Sequence, residues 1–380
     1  VRCGLKRRGP DIALIYSLAP ATGAGVFTAN LVPAAPVLVS RDRVGRADLR
    51  GVIVNSGNAN ACTGAQGYRD ALEMAEETAH ALGVPDGSIL VCSTGVIGHR
   101  LPMERVRGGI AKAVSALGPD GGEGAARAIM TTDTRPKSLA VEFELLNRPV
   151  RLGGMAKGSG MIAPHLATML AFITTDADVP SALLQSCLAS AVERSFNRIT
   201  VDGDTSTNDA VLLLANGQAE AGPIGRRRGL GRFQAALDYL CAHLAREIVR
   251  DGEGASKLIE VRVSGAESEA DALRIARTIA NSPLVKTALG GGDPNWGRVL
   301  AAAGRAGIRF RPELVDLDLG AVRVVRRGEA ANYRQEEAAE AVAGPTVVVT
   351  LDLNAGRQQA AVWTCDLTKD YVRINAAYHT

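Results

Sequence analysis

The sequence predicts a mixed α/β fold, and three features carry that reading. Short β-branched runs bounded by glycine, proline or aspartate alternate with stretches of helical periodicity. The chain is 46% hydrophobic but only 4% aromatic, so its core must be built from Ala, Val, Leu and Ile. At 380 residues it can hold a large core and two lobes.

Composition excludes several classes. The 43 basic and 40 acidic residues leave a net charge of +3, too balanced for nucleic-acid binding. Arg226-Arg227-Arg228 reads as a solvated loop. No apolar run reaches the ~18 residues of a membrane span, and Val1-Arg2-Cys3 shows no secretory signal. The six cysteines at 3, 62, 92, 187, 241 and 365 form no Cys-x-x-Cys pair, and the five histidines have no ligand spacing. The expectation is a reduced, cytoplasmic protein with small buried thiols and neither metal nor organic cofactor.

The elements follow in order. Residues 11–16, 25–28, 36–40 and 51–55 read as strands, and residues 55–60 as a dense polar turn. Residues 68–82 form an amphipathic helix, stopped at Gly83. A strand over 88–92 leads to Ser93-Thr94-Gly95-Val96-Ile97-Gly98. A polar turn there can aim a hydroxyl and a backbone N–H at one point. Helices are predicted over 101–117 and 125–130, then a strand region over 143–152.

The stretch from Lys157 to Asp176 organises the chain. A glycine-rich segment changes at Ala167-Thr168 into the buried strand 169–173. A threonine there is fixed by the strand while the loop leaves room for a reacting carbonyl. Its hydroxyl can attack the preceding peptide carbonyl and form an ester at Ala167, which water cleaves. Thr168 would then carry a free α-amine, with a reference pKa of roughly 7.7–8.0, able to act as base for its own hydroxyl. An ordinary strand-entry threonine is the alternative from residues alone. Gly158-Ser-Gly160-Met-Ile-Ala163 matches a dinucleotide-binding pattern, but Pro164 stands where the required helix should run.

Beyond this, a helix over 181–196 and a strand over 210–215 are predicted. The motif Asp202-Gly-Asp204-Thr-Ser-Thr207-Asn208-Asp209 fits a hydrogen-bonded scaffold better than a calcium loop. Residues 217–231, rich in glycine and arginine, suggest a lobe boundary, giving lobes 1–225 and 226–380. Helices over 233–250 and 269–280 and strands over 258–264, 347–353 and 360–365 make the second lobe. Residues 293–298 read as a rigid loop, loosened by the three glycines 290–292.

Lys157-Gly-Ser-Gly-Met-Ile-Ala-Pro-His-Leu-Ala-Thr168-Met-Leu resembles the self-cleavage segment of the ornithine acetyltransferase family, the glutamate N-acetyltransferases of arginine biosynthesis. Further matches run in order along the chain: residues 93–98, 129–134, 195–209, 251–255, 293–298 and 371–375. Relative to the family a short opening segment is missing. The resemblance implies a layered α/β/β/α sandwich core with a smaller α/β lobe. It also implies cleavage into residues 1–167 and 168–380, and a heterotetramer of two α and two β fragments. By resemblance Thr168 is the nucleophile, Thr94 and Gly95 form the oxyanion hole, and Thr131, Lys157, Thr168, Glu253, Asn375 and Thr380 contact substrate. The implied reaction moves an acetyl group from N2-acetyl-L-ornithine to L-glutamate, with acetyl-CoA left open as a second donor. An N-terminal-threonine amidohydrolase or aminopeptidase, in which water is the acceptor, is the alternative. A relative that never processes itself is another.

Overall fold

The computed structural model describes residues 1–163 and 169–377. Contacts divide them into two compact units. The first holds Val1–Asn197 and Asp204–Ile248; the second holds Arg198–Gly203 and the chain from Val249 onward. No helix among the described residues is long and apolar enough to cross a membrane.

The first unit contains β1 (Ile12–Phe27), α1 (Ala35–Arg43), β2 (Leu49–Asn58), α2 (Gly64–Leu82), β3 (Ile89–Val96), α3 (Met103–Ser115) and α4 (Gly122–Ala128). It continues through β4 (Lys137–Leu145), β5 (Arg148–Lys157), β6 (Leu170–Thr175), α5 (Ser181–Glu193), β7 (Ala210–Ala215) and most of α6 (Leu230–Arg250). The strand order is β3-β2-β1-β7-β6-β5-β4. β1 joins two half-sheets: its first half pairs antiparallel with β2, and after an irregularity between Tyr16 and Ala21 its second half pairs with β7. A bulge of this kind bends a strand and turns the sheet.

The bend brings two sheet faces together. Val52, Val54, Leu90 and Cys92 pack with Met155, Leu170, Phe172, Leu212 and Leu214 in one buried cluster. Successive strand residues point to opposite faces. Ile53, Ile89 and Val91 therefore pack the other way, against Met74 and Ala75 of α2, Val106 and Ile110 of α3, and Val39 of α1. The outer face of β5 is covered by α6, where a Cβ on Gly154 would come within 2.7 Å of Leu240 and 3.1 Å of Leu244. The layers run helix, sheet, sheet, helix, as the resemblance implied.

Several elements differ from the sequence reading. Residues 36–40 form α1, not a strand: Pro36 sits in the first turn, where a fixed φ and a missing N–H cost nothing. The β-branched Val37 and Val39 are buried by tertiary packing that overrides their strand preference. Runs 11–16 and 25–28 belong to the single strand β1. The region 143–152 is a hairpin, with Leu146 and Asn147 at φ 51° and 62°, the positive values a tight turn between twisted strands demands. β3 runs on through Thr94 and Gly95, so these are strand residues and not a turn.

The second unit contains β8 (Leu258–Ala266), α7 (Glu269–Ala280), α8 (Pro283–Gly290), α9 (Trp296–Gly304), β9 (Asp316–Leu319), β10 (Val322–Arg326), β11 (Glu329–Ala330), α10 (Gln335–Ala343), β12 (Thr346–Asp352), β13 (Gln358–Cys365) and α11 (Lys369–Ala377). Its sheet has the order β11-β10-β9-β12-β8-β13. Ile259, Val261 and Val263 of β8 pack with Ile275 and Ile279 of α7 and with Val347 and Val349 of β12. The rigid loop expected at 293–298 is the entry of α9, whose N-cap Asn295 accepts from the Arg298 amide. Short β9–β11 and alanine-rich α10 had no clear periodic signal, and Lys369–Ala377 form α11.

The lobe boundary was expected at 225/226. The contacts instead group α6 through Ile248 with the first unit. Its apolar face, led by Phe233, Leu237, Leu240 and Leu244, is fully buried, and Phe233 meets Phe143 of β4 edge-on at 6.5 Å.

Candidate active site

Lys157 ends β5 and is only 2% exposed. An ammonium is not buried without polar partners. Its Nζ donates to Thr131 Oγ1 at 2.6 Å and to Thr94 Oγ1 at 3.3 Å. It also lies 4.0 Å from Asp133 Oδ2. Three of the predicted residues, on β3, on the turn after α4 and on β5, thus converge on one ammonium.

Asp133 is the hub that sequence reasoning missed. Its Oδ1 accepts from Lys137 Nζ and from the Gly158 amide, each at 2.7 Å, and its Oδ2 accepts from the Thr131 amide at 3.0 Å. Burial favours the neutral acid, but Lys157, Lys137 and the Gly158 amide outweigh it and bring the pKa down to about 2. The available signal was Lys137 four residues after Asp133. Lys6 was missed too. Its ammonium donates to the carbonyl of Met130 at 2.8 Å and so braces the turn that carries Thr131. Burial lowers its pKa.

Thr94 and Gly95 are held by a polar scaffold. Ser93 donates to Asn55 Oδ1 at 2.6 Å, while Asn208 Nδ2 donates to the carbonyls of Ser93 at 2.8 Å and Ala59 at 2.7 Å. Asn55 Nδ2 in turn donates to the Asn58 carbonyl at 2.8 Å. Gly95 has φ +134°, and a Cβ there would meet the Gly57 carbonyl carbon at 2.3 Å. Only glycine fits that close approach of β2 and β3.

Two further predicted residues meet in the second unit. Asn375 on α11 donates to Glu253 Oε2 at 2.8 Å and to the Tyr371 carbonyl at 3.1 Å. Gly254, at φ +69°, lets the backbone of Asp370 and Tyr371 lie against it, since a Cβ would reach Tyr371 N at 2.4 Å. Ala167, Thr168 and Thr380 lie outside the described residues. Next in the chain after residue 168, the Met169 amide donates to Asp209 Oδ1 at 2.9 Å, and its carbonyl accepts from Ala210 N at 3.3 Å. Residues 158–163 contain no helix, which removes the basis for a dinucleotide site. Among the described residues no cluster of His, Cys, Asp or Glu is placed to hold a metal.

As a class, this is a mixed α/β protein whose site is built from hydroxyls, a lysine and a strongly ionised carboxylate. The ArgJ family model matches residues 1–380. A Symbiobacterium thermophilum protein, "Arginine biosynthesis bifunctional protein ArgJ", is 54% identical over 97% of this chain and 92% of its own length. The protein of the same name from Synechococcus sp. is 51% identical over all of this chain and 94% of its own. A solved ArgJ structure from Bacillus halodurans has a TM-score of 0.53 at 42% identity, covering 55% of this chain and 98% of that one. The chain belongs to the ArgJ family.

Proposed function

We propose that the chain transfers acetyl groups through an ester on Thr168, after cleaving itself between Ala167 and Thr168. As an ArgJ protein it is an acetyltransferase of arginine biosynthesis, moving the acetyl group of N2-acetyl-L-ornithine to L-glutamate. In this reading the Thr168 hydroxyl attacks the acetyl carbonyl while its α-amine takes the proton. The Thr94 hydroxyl and Gly95 amide face the developing oxyanion. Ornithine leaves, glutamate enters, and its amine takes the acetyl group from the ester.

One observation carries the reading: the buried Lys157 ammonium bonded to both Thr94 and Thr131. It puts a fixed positive charge beside the hydroxyl assigned to the oxyanion, and it suits the α-carboxylate that both substrates carry. Glu253 with Asn375 suits the amino end of a substrate, and Thr380 completes that set. The curated relatives are named bifunctional. Acetyl-CoA as a further donor accounts for a second activity by the same ester. The protein works in the cytoplasm as a heterotetramer of two α and two β fragments.

Mass analysis under denaturing conditions tests the cleavage. Two species, residues 1–167 and 168–380, are expected, and Thr168→Ala should stay intact and transfer no acetyl. A Thr168→Ala chain with normal transfer would remove the nucleophile. With labelled acetylornithine, label should pass to acetylglutamate; release as free acetate, independent of glutamate, would mark a hydrolase.

A further inference from the structure

The mechanism above leaves one buried charge without a task. Lys286 lies on α8 and is only 4% exposed. Its ammonium donates to the Val201 carbonyl and, at 3.1 Å, to Thr364 Oγ1 of β13, with Cys365 Sγ at 3.9 Å. Burial raises the pKa of the Cys365 thiol, so all of these partners are neutral. Lys286 forms no ion pair among the described residues. Burying an ammonium without a carboxylate is costly, and an apolar side chain of similar volume would serve stability at least as well. A lysine in this place is accounted for by what its donors fix.

What they fix is the support of the Glu253–Asn375 pair. Residues 198–203 run beside β13, where Thr200 N donates to the Trp363 carbonyl at 2.9 Å. One residue on, Lys286 takes the Val201 carbonyl. Gly252 rests on that junction: a Cβ there would come 3.0 Å from Cys365 Sγ and 3.4 Å from Val201 Cγ2. Glu253 follows directly. Farther on, the amides of Ser256 and Lys257 donate to Asp366 Oδ1 at 2.8 Å and 2.9 Å, which ties the same segment to the end of β13. Asn375 is reached from the other side. The Tyr371 hydroxyl donates to Asp202 Oδ2 at 3.4 Å, and the Tyr371 carbonyl accepts from Asn375 Nδ2. Glu253 and Asn375 are both built outward from Val201 and Cys365.

We propose that Lys286 is a positioning residue that sets Glu253 against Asn375, and with it the affinity of the site for an amino group on the substrate. The inference rests on the reading that this pair receives the amino end. Without the ammonium, the Val201 carbonyl loses its donor and Gly252 loses the fixed surface beneath it. The Glu253 carboxylate then meets a charged nitrogen at a poorer distance and angle. Coulomb attraction and hydrogen bonding both weaken with displacement. A site loosened by about 1 Å binds worse even when every side chain that touches the ligand is present.

Calorimetric binding of ornithine to the purified chain tests this. Methionine keeps most of the lysine stem and removes the charge. Lys286→Met should weaken ornithine binding about tenfold or more, and Glu253→Gln should weaken it too. The double variant decides. If Lys286 acts through Glu253, adding Lys286→Met to Glu253→Gln should cost less than about twofold further. A lysine that only stabilises the fold would lower the melting temperature and leave the affinity of the folded chain as it was; that result would overturn the proposal. So would a loss that repeats in full in the Glu253→Gln chain. If Lys286→Met does not fold, Thr364→Val takes its place, since it keeps the shape and removes one acceptor of the ammonium. It should weaken ornithine binding in the wild-type background and not in Glu253→Gln, and an equal effect in both, or none in either, overturns the assignment. Glu253→Gln binding ornithine as tightly as wild type would sink the reading of Glu253 itself, and this proposal with it.

Discussion

Lys157 shows how one buried charge can organise a site. Replacing it with methionine keeps the bulk but frees Thr94 and Thr131 and takes a positive charge from Asp133. Losing one member of a buried charged hydrogen-bond set costs about 2–5 kcal/mol. Acetyl transfer by Lys157→Met should therefore fall at least about 30-fold, measured as kcat/KM for acetylornithine. Asp133 makes a pH prediction. Burial alone would raise its pKa, but neighbouring charges hold it at about 2 in the folded chain, against 3.8 for a free aspartate side chain. A depressed carboxylate pKa stabilises the fold above the unfolded value, and that contribution is lost as pH falls through the folded one. About 2 kcal/mol should disappear between roughly pH 4 and pH 2. Urea unfolding across that window should show it in the wild type, and Asp133→Asn should lack that component. Gly95→Ala should cost about 1–3 kcal/mol from φ strain alone, and more from the clash with Gly57. A Gly95→Ala chain as stable and active as wild type would refute the tight β2–β3 approach.

At the scale of elements, α1 does more than cover the sheet. Its Ser40 hydroxyl donates to the Val91 carbonyl at 2.6 Å and accepts from the Val91 amide at 2.8 Å. β3 is the outermost strand on that side, and Ser40 supplies the partner that a further strand would have given. Ser40→Ala leaves both backbone groups unpaired, at about 1–3 kcal/mol. Faster amide exchange at Val91 should accompany the lost stability. Because β3 carries Thr94 and Gly95, the loosening should also lower activity. Unchanged exchange at Val91 would show that water replaces the hydroxyl at no cost.

For the whole molecule, the proposed cleavage has a topological consequence. It would place β1–β5 in one fragment and β6 and β7 in the other. Yet β6 pairs with β5 and β7 pairs with β1, so the later strands sit inside the earlier sheet. Neither fragment can satisfy its strand edges alone. The fragments should elute together under native conditions, separate only in denaturant, and unfold in a shared transition of the first unit. Fragments that part in native buffer would contradict this sheet order. Fully buried Ala, Val, Leu and Ile fill the space between the half-sheets with few aromatics, as composition implied.

How much of this the residues announced depends on whether the signal is local. Helix α2 with its αL glycine at Gly83, strand β7 and helix α7 were legible, because periodicity, caps and stops lie within the segment that folds. Thr94, Thr131, Lys157, Glu253 and Asn375 were named as candidates through motif resemblance; the structure joins the first three by hydrogen bonds at Lys157 and pairs Glu253 with Asn375. Asp133 and Lys6 were not assigned roles, and Asp209 was read only as part of a hydrogen-bonded scaffold. A carboxylate looks the same in sequence whether it is solvated, clamped between two lysines or fully buried. That difference is set by neighbours from other strands, brought close by the bend in β1. Likewise a run such as 36–40 has no fixed fate until the sheet beside it exists, because burial, and not propensity, decides a short apolar segment. The sequence by itself determined the α/β class and the long helices. The tertiary structure decided which half-sheets face each other, where α6 belongs and which charges are driven together, because those depend on contacts between residues far apart in the chain.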